Sequence, residues 1–334
     1  MEAMMRPNLV IVRAGNSSLH PEWLKGDGAR NWDIVVNYFG DDPELYKEAD
    51  VVRIDSKGPK WPALQQLIQS NPQYISDYDY IWLPDDDLLA TKADINTLFD
   101  LVKAYRLEVA QPALTWDSYY SHITTLRNNM TKIRFTNYVE VMAPCFCSAM
   151  LGKALPLFNA NLSGWGLDYL WTALAENPTS GIAIIDEVTV RHTRPVGGPN
   201  YKLLRETGVS PWDEMRMLCK AHGLDEEPVL VTHKAIRHDD VVITAEENRY
   251  RFISDFVLGY LPALAHTHEQ RRMLRRMAGG VWKGVWNLPD RVSEGVKKGG
   301  LSWTVDHQVS VIVIVSPTAR KCVPARARRP ICQR

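Results

Sequence analysis

Three consecutive carboxylates, Asp85-Asp86-Asp87, follow the apolar run Tyr80-Ile81-Trp82-Leu83 and a proline. Adjacent carboxylates repel one another and raise each other's pKa unless a cation neutralises them. Hard oxygen ligands in that arrangement suit Mg²⁺ or Mn²⁺, which keep several waters and complete their shell from substrate phosphates. A solvated acidic turn capping the next helix would carry the same residues. A second candidate is Ser163-Gly164-Trp165-Gly166-Leu167-Asp168, where two glycines bend the backbone around an indole and Asp168 opens a helix. It reads either as an N-cap beside a packed Trp, or as a general base facing an acceptor hydroxyl with Trp165 as a stacking platform. The third is Arg191-His192-Thr193-Arg194, directly after an apolar run. A neutral imidazole is a good third ligand for a divalent metal, and arginines suit a diphosphate.

The elements that must position these groups are legible as alternating periodicities. Asn8 to Arg13, Asp33 to Phe39, Val51 to Ile54, Tyr80 to Leu83 and Glu108 to Pro112 read as strands, and Pro62 to Ser70 and Ala93 to Tyr105 as helices. Strands alternating with helices imply an α/β fold with a mostly parallel sheet covered on both faces. Ligands in such sheets bind beyond the carboxyl ends of the strands. That rule gathers Ala14-Gly15-Asn16-Ser17-Ser18, Asp55-Ser56-Lys57-Gly58-Pro59-Lys60 and the acidic triplet around one site.

The loop after the first strand offers small residues and backbone N–H donors, with neither G-x-G-x-x-G nor a P-loop, so a dinucleotide fold and an ordinary kinase are unsupported. Lys60 stands where a helix dipole and an ammonium can both attract phosphate, although a plain surface lysine would look the same. From Thr115 to Asn161 the chain is less regular and carries Trp116, Tyr119, Tyr120, His122, Phe135 and Tyr138. Aromatic faces beside hydroxyls suit an acceptor sugar, and equally suit packing beneath a long insertion. Ile182 to Ile185 and Val188 to Val190 read as two apolar runs leading into His192, and beyond Tyr201 the pattern turns helical, with helices expected at Pro211 to Ala221, Asn248 to about His268 and Glu269 to Met277.

Over 334 residues, 39 basic side chains balance 39 acidic ones, so nothing in the totals calls for a nucleic-acid partner. Residues 270–300 nevertheless hold eight Lys/Arg against Asp290 and Glu294, interleaved with Trp282 and Trp286. That composition fits either a segment lying on an anionic membrane or a solvated basic tail. Five cysteines form no C-x-x-C pair or regular framework, which favours a reducing compartment. No signal-like N-terminus or spanning apolar stretch is present, so the expectation is a cytoplasmic protein able to sit peripherally on the inner face of a membrane. The last 25 or so residues have the composition of disorder.

Taken together, Gly58-Pro59-Lys60-Trp61-Pro62, Trp82-Leu83-Pro84-Asp85-Asp86-Asp87-Leu88, Gly164-Trp165-Gly166-Leu167-Asp168 and Val190-Arg191-His192-Thr193-Arg194-Pro195-Val196-Gly197-Gly198 resemble the GT-A class of nucleotide-sugar-dependent glycosyltransferases. More closely, they resemble a largely uncharacterised family classed as a domain of unknown function. The resemblance spans about residues 8 to 205. It implies a GT-A-like catalytic domain over 8–205, leaving a helical basic extension over 206–300 and a tail over 301–334. It further implies an Asp-x-Asp motif in which Asp85 and Asp87 bind Mn²⁺ or Mg²⁺ with His192, Asp86 fills the variable middle, and Asp168 is the base of an inverting reaction. On that reading Arg13, Gly15, Asn16, Asp55, Lys60, Asp86 and Arg194 face the nucleotide-sugar donor, and Trp165, Trp116 and Tyr119 face a glycan or lipid-linked acceptor. Two other readings stay open: a sugar nucleotidyltransferase, for which the loop after the first strand is a poor match, and a non-catalytic glycan- or nucleotide-sugar-binding assembly protein.

Overall fold

The apolar runs of the first hundred residues build a parallel half-sheet. In the computed structural model, which describes residues 6–195, 208, 210–224, 230, 232–245, 247 and 249–265, β1 (Asn8–Ala14) lies between β2 (Trp32–Tyr38) and β4 (Tyr80–Trp82), parallel to both. β3 (Val52–Asp55) extends the sheet beside β2, again in parallel. Every residue of β1 is buried, as expected for a strand covered on both faces. Alternate side chains enter opposite cores: Val10 and Val12 join Trp82, Leu98 and Phe99, whereas Leu9 and Ile11 join Leu64, Ile68 and Ile81. The covering helices are the short α1 (His20–Leu24) and α3 (Gln73–Ser76), with α2 (Lys60–Ser70) and α4 (Lys92–Ala104). α2 turns Trp61, Leu64, Leu67 and Ile68 inward at helical spacing, and α4 begins at a reciprocal Thr91/Asp94 capping box.

The remaining strands are β5 (Leu88–Leu89), β6 (Val109–Leu114), β7 (Thr131–Thr136), β8 (Cys145–Cys147), β9 (Ile182–His192), β10 (Thr232–Arg237) and β11 (Val242–Thr244). The order across the sheet is β11-β10-β7-β9-β6-β8-β4-β1-β2-β3, with β5 pairing β9 off that path. The result is an α/β fold around an eleven-stranded mixed sheet. Parallel pairing holds for β4-β1-β2-β3 and for β6 with β9; β8 runs antiparallel to both β4 and β6, and β7 to both β9 and β10. Helices α5 (Ser148–Ala154), α6 (Leu167–Leu174), α7 (Pro211–Ala221) and α8 (Arg249–Tyr260) complete the fold.

Three expectations are corrected. The irregular stretch Thr115 to Asn161 supplies β7, β8 and α5. The stretch beyond residue 205, expected to be helical, also supplies β10 and β11 to the same sheet. The runs Ile182 to Ile185 and Val188 to Val190 are one strand, β9, because the carboxylate that interrupts them is paired: Arg134 Nε donates to Asp186 Oδ2 at 2.7 Å with both side chains fully buried. Asp186 also accepts from Asn128 N and Thr131 Oγ1, and Arg134 from β7 reaches the Tyr260 hydroxyl of α8. A buried ion pair is tolerated only when its remaining hydrogen-bonding capacity is met in this way.

α8 is shorter than the expected Asn248 to His268 helix and passes into a 3₁₀ turn over Leu261–Ala265. The expected helix Glu269 to Met277, the basic segment 270–298 and the tail 301–334 lie outside the described residues. Among the described residues no helix is long and apolar enough to cross a membrane.

Candidate active site

Beyond β4 the acidic triplet bridges Arg13 at Asp85 and then turns through Asp86 and Asp87, held by backbone hydrogen bonds on both sides. Asp85 N donates to Met142 O at 2.8 Å, and Leu19 N donates to Asp86 O at 2.7 Å. Asp87 O accepts from Thr193 N at 3.1 Å and Thr193 Oγ1 at 2.9 Å, while Leu88 pairs with His192 between β5 and β9. The carboxylates have separate surroundings. Asp86 closes on its own chain: Oδ2 accepts from Gly15 N at 2.8 Å and Oδ1 from Arg194 at 3.2 Å, and Arg194 also reaches Ser17 O. Asp85 and Asp87 serve a different environment. Lys60 Nζ meets Asp85 Oδ1 at 2.5 Å and Val141 O at 2.9 Å, and His192 Nε2 lies 3.3 Å from Asp87 Oδ2.

Burial raises the Asp85 and Asp86 carboxyls; Lys60 partly offsets this for Asp85, and the Gly15 N–H and Arg194 do so for Asp86. Burial pulls the His192 imidazole down, but the hydrogen bond and charge of Asp87 outweigh it and hold the pKa above the ordinary value. His192 Nδ1 sits 2.7 Å from Tyr119 O, which orients the ring so that Nε2 faces Asp87. Asp87 Oδ1 is buried and without a hydrogen-bond partner. An orphaned carboxylate oxygen beside an imidazole nitrogen and a second carboxylate is a donor set of the kind Mn²⁺ or Mg²⁺ accepts. As the side chains stand, no group of three His, Cys, Asp or Glu among the described residues is drawn together tightly enough to hold a metal ion. Lys60 takes that charge at Asp85 instead.

Asp168 enters from α6. Gly166, with φ of +95°, caps the helix, and an added Cβ there would crowd Met215 and Leu218 of α7. Gly164, with φ of +81°, lies so close to the Trp61 indole that an added Cβ would overlap it. Trp61 adjoins Lys60, so this approach fixes the Asp168 loop relative to the triplet's lysine. Gly164→Ala combines a left-handed alanine with overpacking and is expected to lower stability by about 3 kcal/mol, read as a fall in the denaturant midpoint. On the outer side, Glu214 of α7 accepts from Leu162 N and Ser163 N, and Trp165 stands edge-to-face on Trp212 at 5.0 Å.

Asp168 is buried; Oδ2 accepts from the Tyr138 hydroxyl at 2.9 Å and Oδ1 from Gly166 N at 3.2 Å. Burial pushes its carboxyl up to about 7 despite those bonds. A carboxyl that titrates near neutrality is suited to general-base work.

The other expected site residues are dispersed. Arg13 is buried and turned to the sheet's own loops, donating to Asn37 Oδ1 at 2.5 Å, Ser56 Oγ at 3.0 Å and Gly58 O at 2.7 Å. Asn16 Oδ1 accepts from Tyr38 Oη and Asp41 N, and Asp55 pairs with Arg53 at 2.7 Å on the surface. Trp116 packs against the core with its indole N–H on Arg127 O, whereas Tyr119 is exposed beside His192. The sequence reading missed Glu140, a buried carboxyl between β7 and β8 with electrostatic reach to Asp168, His192 and Asp85. No motif marks it; the only signal is an acid inside the otherwise apolar stretch Tyr138 to Cys147.

The acidic, basic and imidazole groups thus gather beyond β4 and β9 of an open α/β sheet, at the edge where such sheets characteristically take their ligands. The chain belongs to the DUF707 family of proteins of unknown function, whose model matches residues 44–222, a stretch that contains all four sequence motifs. No curated protein matches it. Among solved structures, S. aureus TarS 1-349 is similar at 12% identity and a TM-score of 0.44, covering 90% of this chain and 94% of that one. TarS 1-349 in complex with UDP-GlcNAc gives 12% and 0.39 over 88% and 92%. GalNAc-T7 with UDP, GalNAc and Mn2+ is similar at 10% identity and 0.43, covering 66% of this chain and 51% of that one. These likenesses are distant, and the residue roles below rest on the geometry of this chain.

Proposed function

We propose that the protein is a metal-dependent glycosyltransferase that moves a sugar from a nucleoside-diphosphate donor to a hydroxyl of a glycan or glycolipid precursor, with inversion. The observation that carries this reading is the buried, unpartnered Asp87 oxygen set between His192 and Asp85, in electrostatic range of the same buried acid, Glu140, that also senses Asp168. Breaking a glycosyl phosphate bond builds negative charge on the leaving diphosphate. A divalent cation held by Asp85, Asp87 and His192 would stabilise that charge where it develops. Lys60, now on Asp85, and Arg194, at the loop edge, would supply further positive charge to the phosphates. Asp86 keeps the Gly15 backbone and Arg194 in place. Asp168 takes the acceptor proton, with Tyr138 holding the carboxylate in position.

Trp165 and its neighbour Trp212 offer the acceptor an aromatic edge. The cytoplasmic, peripheral setting read from the sequence belongs to the same proposal. A non-catalytic sugar-nucleotide binder would share the cation site but has no need of a buried base.

The test is a thermal-shift screen of UDP-, GDP-, CDP- and dTDP-sugars with and without Mn²⁺. One nucleotide class should raise the melting temperature in a Mn²⁺-dependent way, since a ligand that binds only the native state stabilises it in proportion to its concentration over Kd. No shift with any nucleotide at concentrations well above a millimolar Kd would overturn the proposal.

A further inference from the structure

Glu140 lies on a segment that touches both halves of the site. On one side of it, Val141 O accepts from Lys60 and Met142 O from the Asp85 backbone; on the other, Val139 O accepts from Trp171 Nε1 of α6, the helix that carries Asp168. Its own N–H donates to Gln111 Oε1 at 2.5 Å. The backbone around Glu140 therefore spans the distance between the phosphate-side cluster and the base.

The side chain is 3% exposed, bonded to Ser121 through its carboxyl, and its Oε2 has no partner. The contrast with Asp186 is instructive. That equally buried carboxylate is fully paired by Arg134, Thr131 and Asn128, as a structural acid should be. Glu140 has no such counter-charge; its electrostatic neighbours include Asp168 and Asp85, which disfavour its ionised form, and His192, which favours it. Burial accordingly pushes its carboxyl up to about 7. A buried acid with one free oxygen, no cationic partner and a single hydroxyl on its carboxyl has capacity left for a ligand.

What fills that position follows from the order of the reaction. This step rests on the transferase reading. The leaving diphosphate must sit at Asp85, Asp87 and His192, and the acceptor hydroxyl at Asp168. The unit between those two points is the glycosyl group in transit. We infer that Glu140 binds a hydroxyl of the transferred sugar through Oε2 and so contributes to the choice of donor sugar.

The test is isothermal titration of wild type, Glu140→Gln and Glu140→Ala with UDP-N-acetylglucosamine, UDP-glucose and GDP-mannose, against UDP and GDP, all with Mn²⁺. Glu140→Gln keeps the shape and should melt no lower than wild type. The sugar nucleotide that wild type binds should lose about tenfold affinity or more in both variants, most in Glu140→Ala, while the matching nucleoside diphosphate binds as before. Equal affinity for the sugar nucleotide in wild type and both variants would overturn the assignment, and so would an equal loss for the nucleotide with and without its sugar. Wild type binding none of the five probes, nor the CDP- and dTDP-sugars of the thermal-shift screen, would overturn the transferase reading, and this inference with it.

Discussion

Asp168→Asn is expected to lower kcat for sugar transfer by about 10²- to 10⁴-fold, the usual contribution of a positioned general base, with donor affinity unchanged. Asparagine keeps the volume; its Oδ1 can still accept from Gly166 N while its Nδ2 donates to the Tyr138 hydroxyl oxygen, so the loss isolates the proton-accepting role. Wild-type activity should rise with pH and level off above about 7, because the carboxyl that burial raises to about 7 must be ionised to act. Glu140 titrates in the same range and senses Asp168, so the profile reports the pair. Stability should move the opposite way. Both folded-state values stand above the roughly 4 of an unfolded carboxyl. The stabilisation that comes from holding these protons is complete below about 4 and is lost as pH rises through about 7. A melting curve across that window should flatten in Asp168→Asn. Unchanged transfer in this variant would remove Asp168 from the mechanism.

The Asp85→Ala/Asp87→Ala double variant is expected to lose both Mn²⁺-dependent nucleotide stabilisation and transfer, the latter by at least about 10³-fold. The backbone bonds of the triplet to Met142 and Thr193 do not involve these side chains, and Lys60 keeps its bond to Val141 O, so the fold should persist. Nucleotide-induced shifts that stay Mn²⁺-dependent in the double variant would place the cation elsewhere.

The parallel half of the sheet is legible because each strand carries its own apolar run and each helix its own inward face; β1, β2, β4 and α2 fall within two residues of their expected limits. β8 and β11 are not. β8 has three residues and β11 three, and both depend on partners far away in the chain or beyond a tight turn, a dependence that local periodicity does not record. β9 reads as two runs divided at Asp186 because only the fold reveals that Arg134 waits opposite. The candidate site shows the same division. Asp85, Asp87, Lys60, His192 and Arg194 come together beyond the strand ends as the α/β rule requires. Arg13 sits at the same edge, yet its guanidinium is turned to Asn37, Ser56 and Gly58, a choice of rotamer rather than of sequence. Glu140 is invisible in the sequence because a single acid in an irregular stretch has no spacing to betray it.

The family match ends at residue 222, but the sheet does not. β10 covers the outer edge of β7, Asn129 N donates to Gly259 O, and Asn128 Nδ2 donates to Phe256 O on α8. Asn128 fits there because residue 259 has no side chain to meet it. At the other end, the strand between β2 and β4 precedes residue 44 altogether. The part that can be excised, grafted or expressed by itself is therefore longer on both sides than the stretch by which kinship is recognised.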